Sequence, residues 1–171
     1  MTTQAAIFLT QLVFGYVAWL LTLRAYVFPK LLAMDRIGAL RAIAAFHSFR
    51  FFGLVFILPG VVGALPAAFA TFAAYGDFLT GVLAMLALVT GRRRALFWLF
   101  VIAFNIIGIT DFIVDYIHGV QVGLPNFAGQ LGFGYAIVIL YVPALMLTHL
   151  VAFYLMTRSQ TRSALHPATA H

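Results

Sequence analysis

All ten lysines and arginines of this 171-residue chain fall in three clusters, and the stretches between the clusters are apolar. The first cluster is Arg24, Lys30, Arg36, Arg41 and Arg50, the second Arg92, Arg93 and Arg94, and the third Arg158 with Arg162. Basic residues are costly in the middle of a bilayer, and short loops that carry them stay on the cytoplasmic side. The clusters therefore decide how the chain can cross a membrane. Composition agrees, with 64% hydrophobic and 8% charged residues, where a soluble domain has about 45–50% and about a quarter. A water-soluble fold, a disordered chain, collagen and a coiled coil are excluded on these figures. The net charge of +6 reads as bilayer placement of the basic residues, so no nucleic-acid partner is expected.

The absence of cysteine excludes disulfides, thiolate metal sites and thiol redox chemistry. Met1 to Ala6 has no basic residue ahead of its apolar run, so the first segment is expected to stay as an anchor.

A crossing needs about 20 apolar residues at 1.5 Å each. Phe51 to Gly91 holds 41 residues without a lysine or arginine, enough for two crossings around the turn marked by Pro59, Gly60, Gly63 and Pro66. The expected fold is an all-α polytopic bundle of five transmembrane helices in one domain over residues 1–158. The helices fall at about 5–28, 37–58, 66–90, 94–118 and 131–156. Five crossings put all three clusters on one face, which predicts an outside N-terminus and a cytoplasmic C-terminus in a multi-pass inner-membrane protein. Four crossings would divide the first two clusters between the faces. Lys30 to Ala45 mixes apolar and basic residues, so its first part is expected at the interface as a basic lip for anionic headgroups. The tail 159–171 is expected to be disordered and cytoplasmic, and His166 and His171 within it lack companions for a metal role.

Ionisable groups inside spans each cost at least about 2.5–3.5 kcal/mol, so they are informative. Residues equidistant from a hairpin turn lie at one depth. Arg50 and Asp77 are 12 and 15 residues from Val62, the centre of the second turn. The same count about Arg92 and Pro125 brings His47, Arg50, Asp77, Thr80, Asn105 and His149 into one layer near the bilayer middle. His47 and Arg50 share one helix face, as do Asp77 and Thr80. Asp77 is the acid at Arg50's level, so the two are expected to pair, either as a lock between helices or as a ligand or proton site. Nearer the outer face, Asp111, Asp115 and His118 form a stripe at i, i+4, i+7 spacing, with Tyr141 at a similar depth. That stripe lacks an E-x-x-H or H-x-x-x-H signature, so a hydrated mouth is expected and no metal.

Three functions suit this layer. The leading one binds and translocates a small or amphiphilic solute, with Asp77 as the protonatable group. The second is an enzyme acting on a lipid-like substrate, with Asp and His as acid and base and Arg50 orienting an anionic or carbonyl group. The third is a subunit of a larger membrane complex, with no cofactor expected unless a b-type haem lies between His47 and His149 with Gly53 making room. Membrane lipids, the solute and a homodimer or larger complex are the expected partners. Ser48 lacks a nucleophile elbow, no phosphate-binding glycine loop occurs, and Gly132 to Gly134 read as small-residue packing.

Overall fold

The computed structural model describes residues 2–158, and among them there is no β-strand. Five helices are long and apolar enough to cross a membrane: α1 (Thr3–Ala33), α2 (Arg36–Ile57), α3 (Ala67–Val89), α4 (Arg94–Gln121) and α5 (Gly134–Thr157). The chain is a multi-pass membrane protein. The tail, with Arg162, His166 and His171, lies outside the described residues.

The helix limits depart from the sequence reading at three ends. α1 continues through Lys30 to Ala33, because Leu31 is buried and ties that turn to the bundle. Asp35 then caps α2, its carboxylate accepting from the Gly38 amide at 3.2 Å. α4 runs to Gln121, and a 3₁₀ turn over Leu124–Gln130 takes up the following loop, so α5 starts at Gly134.

Two helices contain a proline and solve the problem alike. Proline lacks a donor and its ring presses on the carbonyl four residues back. α1 winds as a π-helix over Leu23–Val27 before Pro29, and α5 does so over Ile137–Tyr141 before Pro143. A wider turn leaves carbonyls without their usual partners. In α5, the Leu140 carbonyl accepts from the Trp19 indole at 2.7 Å.

α2 changes character half-way. From Ser48 to Ile57 it is a 3₁₀ helix, in which Arg50, Gly53 and Phe56 are the buried positions, one turn above the other from His47. Three residues per turn stack such a series on one line, whereas an α-helix would rotate residue 56 about 180° away from residue 47. The sequence places every third residue inward, and Phe49 and Phe52 on the exposed side. This half of α2 lies closely along α3, because Gly81 leaves only 3.0 Å between its absent Cβ and the Phe51 amide nitrogen.

The interior has two apolar cores. One, near the Pro125 loop, includes Phe8, Phe56, Phe69, Leu131 and Ile137. The other, near the basic turns, includes Leu40, Ala84, Phe97, Val101 and Phe104. The buried polar residues occupy the layer between the two, so they interrupt the greasy interior at one level.

Candidate functional site

Arg50 is wholly buried and sits at the centre of this layer. Its Nε donates to Asp77 Oδ1 and its Nη2 to Asp111 Oδ2, both at 2.6 Å. Nη1 lies 3.1 Å from His149 Nε2 and 3.4 Å from the Gly108 carbonyl. The Phe112 ring covers the guanidinium, 4.0 Å from Cζ to the ring centroid. One cation thus ties α2 to α3, α4 and α5.

Donor arithmetic sets the rest of the chain of bonds. An arginine only donates, so His149 Nε2 accepts and the ring proton is on Nδ1. Nδ1 then donates to Asn105 Oδ1 at 2.9 Å, and Asn105 Nδ2 donates to the Val101 carbonyl at 2.8 Å. His47 Nε2 is hydrogen-bonded to Thr148 Oγ1 at 3.0 Å, and that hydroxyl also lies 2.8 Å from the Ala144 carbonyl. His47 Nδ1 and Thr80 Oγ1 are left without partners among the described residues.

Three glycines make this density of polar atoms possible. A Cβ on Gly53 would strike the Asp77 carboxyl carbon at 2.7 Å, and one on Gly108 would strike His149 Nε2 at 2.5 Å and Arg50 Nη1 at 2.6 Å. A Cβ on Gly76 would overlap the Asp111 carboxylate. Each of these three glycines is where a neighbour's polar group passes.

The layer read from the sequence is brought together, with two changes. Arg50 has a second acid, Asp111, which the depth count assigns to the outer stripe. Counting Cα levels ignores the reach of the guanidinium stem and the gap that Gly76 opens between α3 and α4. Tyr141 leaves the stripe, since its hydroxyl donates to the Phe46 carbonyl at 2.8 Å. Asp115 and His118 stay on the stripe, each with one buried atom lacking a partner, and the His118 ring stands edge-on to Phe72. Among the described residues no three His or Asp gather closely enough to hold a metal ion.

The haem alternative does not fit. The His47 and His149 rings are 4.1 Å apart between centroids, whereas axial ligands on opposite faces of one iron need a porphyrin plane between them. Both nitrogens of His149 are engaged, and the space beside Gly53 holds the Asp77 side chain.

Two cavities reach the acids. One, of about 410 Å³, has largely apolar walls from α1, α3, α4 and α5, including Phe8, Leu12, Phe69 and Val138, with Asp77, Asp115 and Tyr116 among its lining. It extends to Pro125 and Asn126 at the loop. The other, of about 640 Å³, is a groove between α3 and α4, lined by Thr71, Tyr75, Gly76 and Asp111. Arg50, His47 and His149 line neither. Tyr116 is bound hydroxyl to hydroxyl to Tyr16 of α1 at 2.5 Å.

Residues 7–157 match a family profile, DUF8737, described as a domain of unknown function. The chain belongs to the DUF8737 family. The matched range holds every residue of the polar layer and of the stripe, so this DUF8737 domain carries the whole site. No curated protein matches the chain, and no solved structure does.

Sequence reasoning missed Gly76, Gly108, Phe112 and Thr148. Phe112 and Thr148 look like two more members of apolar helices. The two glycines had a signal: Gly76 adjoins Asp77, and Gly108 lies one turn from each of two polar residues in Asn105-x-x-Gly108-x-x-Asp111.

Proposed function

We propose that the bundle binds a small or amphiphilic solute in the cavity near the Pro125 loop and moves it across the polar layer, with the carboxylates of that layer as its protonatable groups. The observation that supports this is an apolar-walled cavity, within the ~300–1,000 Å³ range of small-molecule sites, whose lining includes Asp77 and Asp115. A lock between helices alone would need neither the cavity nor a second acid. The enzyme reading is less well supported, because the two histidines it would use as bases are enclosed and line neither cavity, and Arg50 cannot reach a substrate through the groups that cover it.

Occupancy is tested with decanol, an uncharged amphiphile, by native mass spectrometry of the protein released from neutral detergent. One decanol is expected to bind, and Gly119→Phe is expected to lower its occupancy about tenfold. Gly119 lines the cavity, and a Cβ there meets only Leu124, at 3.6 Å and 3.8 Å, so the ring fills space without disturbing the backbone. Binding unchanged by the filled cavity would remove the reading.

The site is reached from the outside if the N-terminus and the Pro125 loop face outward in an inner membrane, the orientation that puts all the basic turns in the cytoplasm. Reporter fusions check it. A reporter inserted at Asn126 should be outside and one after His171 inside, and both on one side would overturn the orientation.

A further inference from the structure

We infer that the solute is a cationic amphiphile, a single apolar chain carrying an ammonium head, whose head sits at Asp115 and Asp77 and whose tail lies among Phe8, Phe69 and Val138. The inference rests on the solute-binding reading above and gives its substrate class. Charge decides it. Asp77 and Asp111 already pair with the one guanidinium of the buried layer, and Asp115 of the stripe brings a third carboxylate to the cavity with no further cation.

The single cation is also out of reach. Arg50 has no exposed surface, its Nε and both Nη atoms point at protein acceptors, and its ring-facing side is against Phe112. An anionic head entering the cavity would find carboxylates and no arginine. The acids, by contrast, have capacity left. Asp115, in the lining of the cavity, has its Oδ1 enclosed without a hydrogen-bond partner among the described residues, while the unpartnered Oδ1 of Asp111 belongs to the groove between α3 and α4. A carboxylate oxygen enclosed without a donor is unfavourable. An ammonium brings three donors and the missing positive charge together.

The other walls fit a tail rather than a larger polar group. The tyrosine hydroxyls at the α1 side are bonded to each other. At the loop, Asn126 is engaged by the Thr2 hydroxyl at 3.2 Å, which leaves the mouth near the start of α1. What remains around the acids is phenylalanine, leucine and valine.

Three probes of equal chain length separate the outcomes at pH 7: decylammonium, decanol and decanoate, each measured against the full chain by native mass spectrometry. Decylammonium should bind about tenfold more tightly than decanol, and decanoate least tightly. Asp115→Asn should bring the ammonium-to-alcohol ratio to about one while decanol binding persists, which also reports that the variant is folded. Val120→Lys places a cation at an exposed position of the cavity rim, and should weaken decylammonium and strengthen decanoate by about tenfold each. Decanoate binding as tightly as decylammonium, or an ammonium preference unchanged by both variants, would overturn the cationic head and leave a solute cavity standing. Loss of all three probes, or binding indifferent to Gly119→Phe, would instead remove the solute-binding reading beneath it.

Discussion

Asp77→Asn and Asp111→Asn are each expected to leave the bundle folded, and the two together to unfold it. Arg50 is balanced by either acid alone, since both carboxylates sit 2.6 Å from its guanidinium. Removing one therefore leaves a neutral pair, and the change should stay within about 1 kcal/mol. Removing both leaves a buried guanidinium without a counter-charge, a loss of about 3–5 kcal/mol. Arg50→Gln strands two enclosed carboxylates and should cost a similar amount, whereas Arg50→Gln combined with both asparagines should recover much of it, because no charge is then left unpaired. Denaturant titration in micelles, followed by circular dichroism, measures each variant. If Asp77→Asn alone costs as much as the double variant, Asp111 is not a partner of Arg50.

That expectation differs from one based on the sequence, and the difference marks where reading residues along a chain stops. The crossings were legible because each is set by a local property: a run of apolar residues between basic clusters, ended by Asp35, by Pro59 to Pro66, or by Arg92 to Arg94. The shared depth of His47, Arg50, Asp77, Thr80, Asn105 and His149 was legible too, because residues at similar counts from a turn stay near one level, although the 3₁₀ half of α2 rises about 2.0 Å per residue instead of about 1.5 Å. Facing was not. Whether Asp111 turns toward Arg50 depends on the absence of a side chain at Gly76 on another helix, and no spacing within α4 records that. The 3₁₀ half of α2 is an intermediate case. His47, Arg50, Gly53 and Phe56 repeat at an interval of three, which is neither the helical nor the strand period, and a buried face at that interval asks for three residues per turn. The π turns before Pro29 and Pro143 follow from proline chemistry in general, yet the Trp19 indole that takes the Leu140 carbonyl of the second comes from another helix.

Gly108→Ala is expected to be strongly damaging for a single added methyl, at about 2–4 kcal/mol, although alanine ordinarily favours a helix. An added Cβ would lie 2.5 Å from His149 Nε2 and 2.6 Å from Arg50 Nη1. Neither can yield cheaply. His149 is held by Asn105 at its other nitrogen, and Arg50 is clamped by two carboxylates and capped by Phe112. The clash therefore breaks a buried hydrogen bond as well as overfilling the space, and the two losses add. Gly119→Ala, eleven residues further along the same helix, is the control, since its Cβ meets only Leu124 at ordinary contact distance. That variant should stabilise α4 by about 0.5–1 kcal/mol through the entropy of the unfolded chain. Adding His149→Ala to Gly108→Ala should restore part of the loss, because the ring that meets the new methyl is gone, whereas His149→Ala alone should destabilise by leaving Asn105 Oδ1 without a partner and Arg50 Nη1 with only the Gly108 carbonyl at 3.4 Å. Equal effects of the two glycine variants would mean that Arg50 and His149 do not meet over Gly108, and the link from the carboxylates to α5 would fail with it.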